Sequence, residues 1–292
     1  MAEISLEAAP SRTPRHRGLP LNLVIGSVLV AFFCLVALVS FFWTPYPSEA
    51  IKIADRLRPP GEGGFVFGTD RMGRDVLSQV MVGARNSLLV AVFSTIAATI
   101  PGLAIGLAIA AMGEPWRGLF AKVVDVGIAL PSILIALVVA TAIGPGNAAS
   151  MIAISLGFVP HLARVVIGPA RQVLAREFIE AAYAYGRKKP FIMIVHVLPN
   201  IGPLVIVQVS IMLAAAILIE ASLSFLGIGA QRPAPSWGRL LNEALPLLDK
   251  GPWLPLLPGI AIVLTVLGFN LLGDGLRVLL DPQQKSGGDS AP

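Results

Sequence analysis

Six long apolar runs, separated by shorter polar segments, dominate the pattern of the chain. They cover residues 21–43, 87–111, 123–143, 148–167, 198–219 and 254–272. Each run has roughly the 20 residues that a helix needs to cross a bilayer core of about 30 Å. None shows the sustained alternation of apolar and polar positions that a membrane-spanning strand would have. The pattern therefore predicts an all-α integral membrane protein with six transmembrane helices.

The composition agrees with a membrane protein and argues against nucleic acid as a partner. Hydrophobic residues make up 55% of the 292 residues and charged residues only 13%, whereas soluble domains carry about 25% charged residues. The net charge of +5 comes from basic residues scattered between the apolar runs rather than gathered into a stripe, as expected at a membrane surface. The single cysteine, Cys34, lies inside an apolar run, which excludes an internal disulfide and a thiolate metal site.

The distribution of basic residues predicts the orientation of the chain. The first run is longer than the core of a signal peptide and ends in Phe-Phe-Trp, so we expect it to remain as the first transmembrane helix. Lysine and arginine are moderately enriched in the segments that lie inside when the N-terminus is cytoplasmic. This topology predicts a cytoplasmic tail over 1–20, a first helix with an extracytoplasmic loop over 21–86, a five-helix transmembrane core over 87–280, and a second cytoplasmic tail over 281–292.

Two long loops, 44–86 and 220–253, are predicted on the extracytoplasmic side. In the first, Asp70 is a candidate helix cap, and apolar residues at 76, 77, 80 and 81 recur at helical spacing. This spacing predicts a short amphipathic helix at the outer interface. The second loop is rich in Gly and Pro, which excludes a continuous helix, and is expected to fold over the outer mouth. Trp237 within it is predicted to anchor the loop at the membrane interface.

The segment 176–200 is a long polar, basic stretch between two apolar runs, and this orientation places it in the cytoplasm. Its first ten or so residues favour a helix, Gly186 stands where that helix would end, and Pro190 prevents its continuation. Helical spacing places four residues on one face, where two alanines between two aromatic rims form a shallow notch: Phe178, Ala181, Ala182 and Tyr185. This face suits a docking element. A surface helix whose basic residues 187–189 lie on anionic lipid headgroups fits the residues equally well.

Motifs for chemistry are missing from the sequence. It contains no Walker-type phosphate-binding motif, no His-Glu-x-x-His and no Gly-x-Ser-x-Gly. We therefore expect no ATP site of its own, no catalytic residues, and no bound metal or cofactor. The apolar runs also carry almost no charge, whereas ion-coupled carriers and proton pumps place acidic or histidine residues deep in the membrane. The driving energy for transport is therefore expected to come from outside this chain.

Taken together, several motifs resemble those of ABC importer permease subunits. Glu180-Ala181-Ala182, Gly186 and Leu198-Pro199 have the spacing of the loop that, in this family, forms a coupling helix seated on a cytoplasmic ATPase. Five further stretches resemble the C-type permease subunits of dipeptide and oligopeptide importers: 68–70, 73–75, 224–227, 235–238 and 269–277. The resemblance implies the type I ABC importer permease fold.

The chain departs from the resembled pattern at three places. Gln79 stands where this subfamily commonly has arginine, and Arg232 occupies a usual proline position. The basic run 187–189 replaces the residues that often follow the loop glycine. The last departure concerns contacts with the ATPase or with lipid, whereas the first two lie in the predicted outer loops.

The resemblance also implies a function and a set of partners. The chain would translocate di- or oligopeptides across the bacterial inner membrane by alternating access. Its partners would be a second, related permease subunit, two cytoplasmic ATP-binding subunits that hydrolyse ATP, and an extracytoplasmic binding protein that delivers the peptide. The residues implied in ATPase coupling are Phe178, Glu180, Ala181, Ala182, Tyr185 and Gly186.

Two alternatives stay open at this point. Similar permeases carry nickel chelates, glutathione or other small solutes, and no stretch of the sequence forms a recognisable pocket that would choose among them. A secondary transporter that works alone is the other alternative, disfavoured by the sparse charge in the spans and by the loop spacing. The residues that line the translocation pathway are not identified by the sequence.

Overall fold

Helices account for almost all regular structure in the computed structural model, which describes residues 19–280. The predicted cytoplasmic tails, apart from residues 19 and 20, lie outside these described residues. Between 19 and 280 the strand-like pairing is limited to one isolated bridge, between Thr69 and Asp75. The helices are α1 (Leu21–Val39), α2 (Val76–Ala110), α3 (Trp116–Ile128), α4 (Ser132–Ile143), α5 (Asn147–Leu174), α6 (Glu177–Ala184), α7 (Lys189–Ile192), α8 (Leu198–Phe225), α9 (Trp237–Ala244) and α10 (Leu256–Leu280).

Six spans are present when one bent helix pair is counted as a single crossing. Helices α1, α2, α5 and α10, together with the continuous segment Lys189–Phe225, are each long and apolar enough to cross a membrane. Helices α3 and α4 form the sixth span, with a bend of 77° between them. Pro131 is the N-cap of α4, and a proline disfavours the helical conformation of the residue before it. The third predicted span, 123–143, is therefore a broken helix.

The outer end of α2 differs from its predicted boundary. The helix begins at Val76, because the Asp75 carboxylate accepts the Ser78 backbone N–H at 2.8 Å and caps it. The segment predicted as a separate amphipathic helix is thus the first two turns of α2. The prediction that Asp70 caps a helix is wrong, because its carboxylate closes a tight turn by accepting the backbone N–H groups of Met72 and Arg74 at 2.8 and 2.9 Å.

Close backbone contact between α2 and α5 forms the centre of the bundle. A Cβ atom on Gly102 would stand 3.1 Å from the Val159 carbonyl oxygen, and one on Gly106 would stand 2.8 Å from the Ala163 carbonyl oxygen. A side chain at either position would crowd the facing carbonyl oxygen. The two glycines therefore let the backbones of α2 and α5 approach closely, as small residues do in other membrane helix pairs. Helix α1 packs on α10, and α10 packs on α8. The bundle thereby fixes the ends of α5 and α8, between which the loop 175–197 lies.

Candidate functional site

Helix α6 is a short helix in the loop between α5 and α8, and its C-terminus has a defined cap. Gly186 adopts a φ of +74°, which an L-residue with a Cβ rarely adopts. Its N–H donates to the Tyr183 carbonyl at 2.9 Å, and the Arg187 N–H donates to the Ala182 carbonyl at 3.1 Å. These two bonds form a Schellman motif. The predicted end of the helix at Gly186 is therefore present, with the conformational reason for glycine at that position.

One side of α6 is buried in the bundle. Ile179 is fully buried and Ala182 is 9% exposed, and both belong to the main hydrophobic cluster. The same cluster includes Val173 near the end of α5 and Val197 just before α8. Helix α6 is therefore held between the two spans that flank it. Ala182 lies on this inner side, and not on the outward face where helical spacing grouped it with Phe178 and Tyr185.

The opposite side of α6 is exposed. Ala181 and Ala184 lie along its middle, preceded in the same row by the exposed Glu177 at the first turn. Phe178 and Tyr185 lie on one flank at 41% and 87% exposure, and Glu180 lies on the other flank. The outward surface is thus a low strip of alanine with an aromatic rim and an acidic rim. Such a surface allows the backbone of a partner to approach the helix closely.

The basic residues that follow Gly186 are exposed and only partly tied to the protein. The Arg187 guanidinium lies 4.9 Å from the centre of the Phe191 ring, in cation–π geometry. Lys188 and Lys189 are exposed at the start of α7. These three side chains are placed beside α6 rather than on its outward surface.

A second polar site joins the two loops that the sequence predicts on the extracytoplasmic side. We call it the outer cap, and it comprises residues 44–75 together with 226–255. Arg74 bridges the two loops, because its guanidinium lies 2.7 Å from Asp70 Oδ2 and 3.0 Å from Glu243 Oε2. The other oxygen of Glu243 accepts from Arg239 and from Arg232, each at 3.0 Å. One carboxylate therefore holds three arginines from both loops.

Glu243 was not among the residues predicted to matter. Its i,i+4 spacing to Arg239 is a local signal of a helical ion pair, but the contact with Arg74, which lies 169 residues away in the chain, has no local pattern. The structure shows the contacts of two of the residues that depart from the resembled pattern. Gln79 donates to Asp70 Oδ2 at 3.2 Å, and Arg232 donates to Glu243. Both unusual positions thus lie in the same charged cluster.

Trp237 is part of the core and does not anchor a loop at the membrane interface, so that prediction is wrong. Its side chain is fully buried, its indole N–H donates to the Val80 carbonyl at 3.1 Å, and its ring meets the Phe33 ring edge-on at a centroid distance of 5.7 Å. These contacts attach α9 to α1 and α2. The outer cap is therefore packed on the bundle as well as bridged across its own loops.

The pKa of the Glu243 carboxyl group lies below its ordinary value. Burial by itself would raise this pKa, but the hydrogen bond and charge of Arg239, together with the charges of Arg232 and Arg74, outweigh the effect of burial. Because the folded-state pKa is lower than the unfolded one, the ionised group stabilises the cap fully above the ordinary glutamate pKa. This stabilisation is lost as the pH falls through the lower folded-state pKa.

We therefore expect the outer cap to loosen at acid pH. Amide protection factors in α9, measured by hydrogen exchange, should fall between neutral pH and pH ~3. Glu243→Gln should lower the protection already at neutral pH, by about 3 kcal/mol, because it leaves buried arginines without their carboxylate. The matched variant Glu62→Gln, at an exposed glutamate of the same cap, should leave protection unchanged. Equal protection in wild type and Glu243→Gln at neutral pH would contradict the assigned role of Glu243.

Comparisons with known proteins agree with this architecture. Residues 102–286 match the family described as "binding-protein-dependent transport system inner membrane component". The chain is 38% identical to the dipeptide transport system permease protein DppC of Alkalihalophilus pseudofirmus, over 90% of this chain and 86% of that protein. It is 38% identical to the di/tripeptide permease DppC of Pseudomonas aeruginosa over 89% and 86% of the two chains. It is 37% identical to the glutathione permease GsiD of Pectobacterium atrosepticum over 89% and 88%.

A solved structure shows the same fold. A chain of the MetNI methionine ABC transporter, in an inward-facing conformation, superposes with a TM-score of 0.58 and covers 70% of this chain and 97% of its own length. Sequence identity in that superposition is 17%, so the likeness concerns the fold alone. The predicted all-α architecture of a type I ABC importer permease is confirmed. The chain belongs to the family of binding-protein-dependent transport system inner membrane components.

Proposed function

We propose that this chain is the transmembrane permease subunit of an ATP-driven importer that carries di- and oligopeptides across the bacterial cytoplasmic membrane. The observation that carries the proposal is α6, a short helix fixed to the bundle by Ile179 and Ala182, whose opposite face is free for a partner. A helix that only covered the bundle would not need a low, outward alanine strip between two rims. Membership of the permease family supports a transport subunit.

In this proposal α6 is the coupling helix. Ala181 lies at the contact with a cytoplasmic ATP-binding subunit, Phe178 and Tyr185 bound it on one side, and Glu180 fixes the helix from the other. Gly186 sets the turn that orients α6. Ala182 does not contact the partner in this proposal. It is packed with Ile179 against the bundle, so that a displacement of α6 is transmitted through these two residues to the ends of α5 and α8. ATP-driven closure of the partner subunits would then reorient the spans by alternating access.

The proposed assembly contains a second, related permease subunit, two ATP-binding subunits that hydrolyse ATP, and an extracytoplasmic binding protein. The N- and C-termini and α6 lie on the cytoplasmic side, as the distribution of Lys and Arg favours. This orientation places the outer cap outside the membrane, where it is the candidate contact for the binding protein. Regions 21–86 and 87–280 then act as one unit, because α1 packs on α10 and α2 begins inside the first region.

The substrate proposed first is a short peptide, because relatives that cover most of the chain are named dipeptide and di/tripeptide permeases. Glutathione is a second candidate, because other relatives at similar identity are named glutathione permeases. Both substrates present amide groups and free carboxylates, so the permease needs no pocket that is specific for one side chain.

The test is to co-express the chain with its cognate permease, ATP-binding and binding-protein subunits and to reconstitute the complex in vesicles. We expect the chain to purify with the ATP-binding subunits, and dialanine uptake to require both ATP and the binding protein. Uptake of glutathione in place of dialanine would identify the second candidate. A chain that purifies alone and transports without ATP would contradict the proposal and favour a secondary transporter.

A further inference from the structure

Two polar side chains face each other on the surface of the bundle, well inside the membrane-spanning part. Gln208 on α8 and His161 on α5 are joined by a contact of 3.2 Å between Gln208 Nε2 and His161 Nε2. Among residues 19–280, neither side chain has another hydrogen-bond partner. The neighbouring exposed positions on α8, Leu204 and Ile211, are apolar. The pair is therefore a polar island on an apolar helix surface.

The depth of the pair makes contact with lipid unfavourable. Gln208 lies about 15 Å along α8 from Leu198, and His161 lies about 20 Å along α5 from its last residue, Leu174, at 1.5 Å per residue. Histidines at such depth in membrane proteins face the bundle interior or a water-filled cavity, because hydrocarbon leaves their polar atoms unsatisfied. This surface is exposed in the single chain, so something other than lipid covers it in the working protein.

The free hydrogen-bonding groups of the pair match those along a peptide backbone. When the Gln208 amide donates to His161 Nε2, the imidazole carries its proton on Nδ1, and that N–H is free to donate. The Gln208 side-chain oxygen is free to accept. One free donor and one free acceptor complement a backbone C=O and a backbone N–H that lie on the same side of an extended peptide. Recognition of this kind does not depend on the side chains of the peptide.

A charged pair stands one turn further along α5. Arg164 Nε lies 3.2 Å from Asp125 Oδ1 on α3, and the two side chains are 51% and 48% exposed. Ion pairs with this exposure stabilise a fold only weakly. Their presence on the same face of α5 as His161 extends the polar surface towards the end of α5 that carries α6.

We propose that His161 and Gln208 lie in the path of the transported peptide and bind its backbone by hydrogen bonds. Asp125 and Arg164 extend this polar surface towards the cytoplasm. The inference rests on the proposed function, since it names a contact site for the same substrate class. The occupant is the peptide in transit, and the second permease subunit is the alternative that the experiment must exclude.

Water accessibility tests the inference directly. His161→Cys and Gln208→Cys are each made in a Cys34→Ala background and assembled with the partner subunits. A membrane-impermeant sulfonated methanethiosulfonate should modify both new cysteines, and dialanine should slow the modification. Wild-type Cys34, exposed on the apolar helix α1, is the matched control and should not react.

Transport provides an independent measurement. His161→Leu combined with Gln208→Leu should lower dialanine uptake about tenfold, equivalent to about 1.4 kcal/mol in the transport barrier, while the ATP-binding subunits still co-purify. Thr99→Val is the matched change on α2, because the Thr99 hydroxyl only donates to its own helix at Thr95, and it should leave uptake unchanged.

Two results would overturn the inference. One is that both cysteines stay as unreactive as Cys34, as they would if the second permease subunit covered them, and the other is that they react at a rate that dialanine does not change. In either case the proposed function stands as long as the wild-type importer takes up dialanine with ATP. If the wild-type complex transports no peptide, the proposed function fails instead, whatever the reactivity of the two cysteines.

Discussion

An importer that carries Ala181→Arg is expected to insert normally and yet to lose ATP-driven peptide uptake almost completely. Ala181 is exposed in the middle of the outward strip of α6, so the change costs the isolated chain little. In the complex, however, a long cation would enter a surface that we propose to be in close contact with the ATP-binding subunit. Overpacking and an unpaired buried charge together should weaken that contact by about 3 kcal/mol, or more than a hundredfold. Co-purification of the ATP-binding subunits and ATP-dependent dialanine uptake measure the loss.

The matched control is Ala175→Arg. Ala175 is also exposed and lies just before α6, at the end of α5, so the substitution adds the same charge to the same loop without entering the outward strip. This variant should keep its ATP-binding subunits and at least half of the uptake, about 0.4 kcal/mol at most. Normal coupling in Ala181→Arg, with normal amounts of the chain in the membrane, would show that the outward strip is not the docking surface.

The spans and the position of helix α6 along the chain were predictable, because each depends on local information. The length of an apolar run decides whether it can cross a membrane, and glycine at a positive φ marks a helix end. The faces of the helices were not predictable in the same way. Helical spacing alone groups Ala182 with the outward residues. The positions of α5 and α8 around α6 decide that Ala182 is buried instead.

Other errors have the same cause. Trp237 lies among Gly and Pro and resembles an interfacial anchor, but its partners Phe33 and Val80 come from helices far away in the sequence. Asp70 and Asp75 both precede a helical pattern, and the choice of cap is made by the tight turn that Asp70 closes. Local sequence gives the elements, whereas the long-range packing that decides burial has no local pattern.

The charged cluster of the outer cap contains both positions at which the outer loops depart from the resembled pattern, Gln79 and Arg232. Glutamine at position 79 supplies no positive charge to Asp70, while Arg232 brings a charge to Glu243 from the other loop. Arg74 links the two carboxylates. The cluster therefore has one cation, Arg74, on the first loop and two, Arg232 and Arg239, on the second, and the shared Glu243 carboxylate ties the two loops together by charge.

Trp237→Ala is expected to detach α9 from the bundle while leaving the six spans in the membrane. The substitution removes a fully buried indole, its hydrogen bond to the Val80 carbonyl and its contact with Phe33. A change of this size in a core costs about 3–5 kcal/mol. The ion pairs of Glu243 alone do not offset this loss, because Trp237 supplies the contact between the outer cap and the helix bundle. Hydrogen exchange over 232–244 should lose its protection, and binding-protein-dependent uptake should fall with it.

Two variants separate the buried role of this tryptophan from a general sensitivity of the protein to tryptophan loss. Trp237→Phe keeps an aromatic ring but loses the hydrogen bond and part of the buried volume, so it should cost less than Trp237→Ala, about 2 kcal/mol. Trp43→Ala removes a tryptophan that is 60% exposed and should leave the protection of α9 intact. If Trp237→Ala and Trp43→Ala had the same small effect, α9 would have to be held by Glu243 and its arginines alone, and the packing of the cap on α1 and α2 would contribute nothing to its stability.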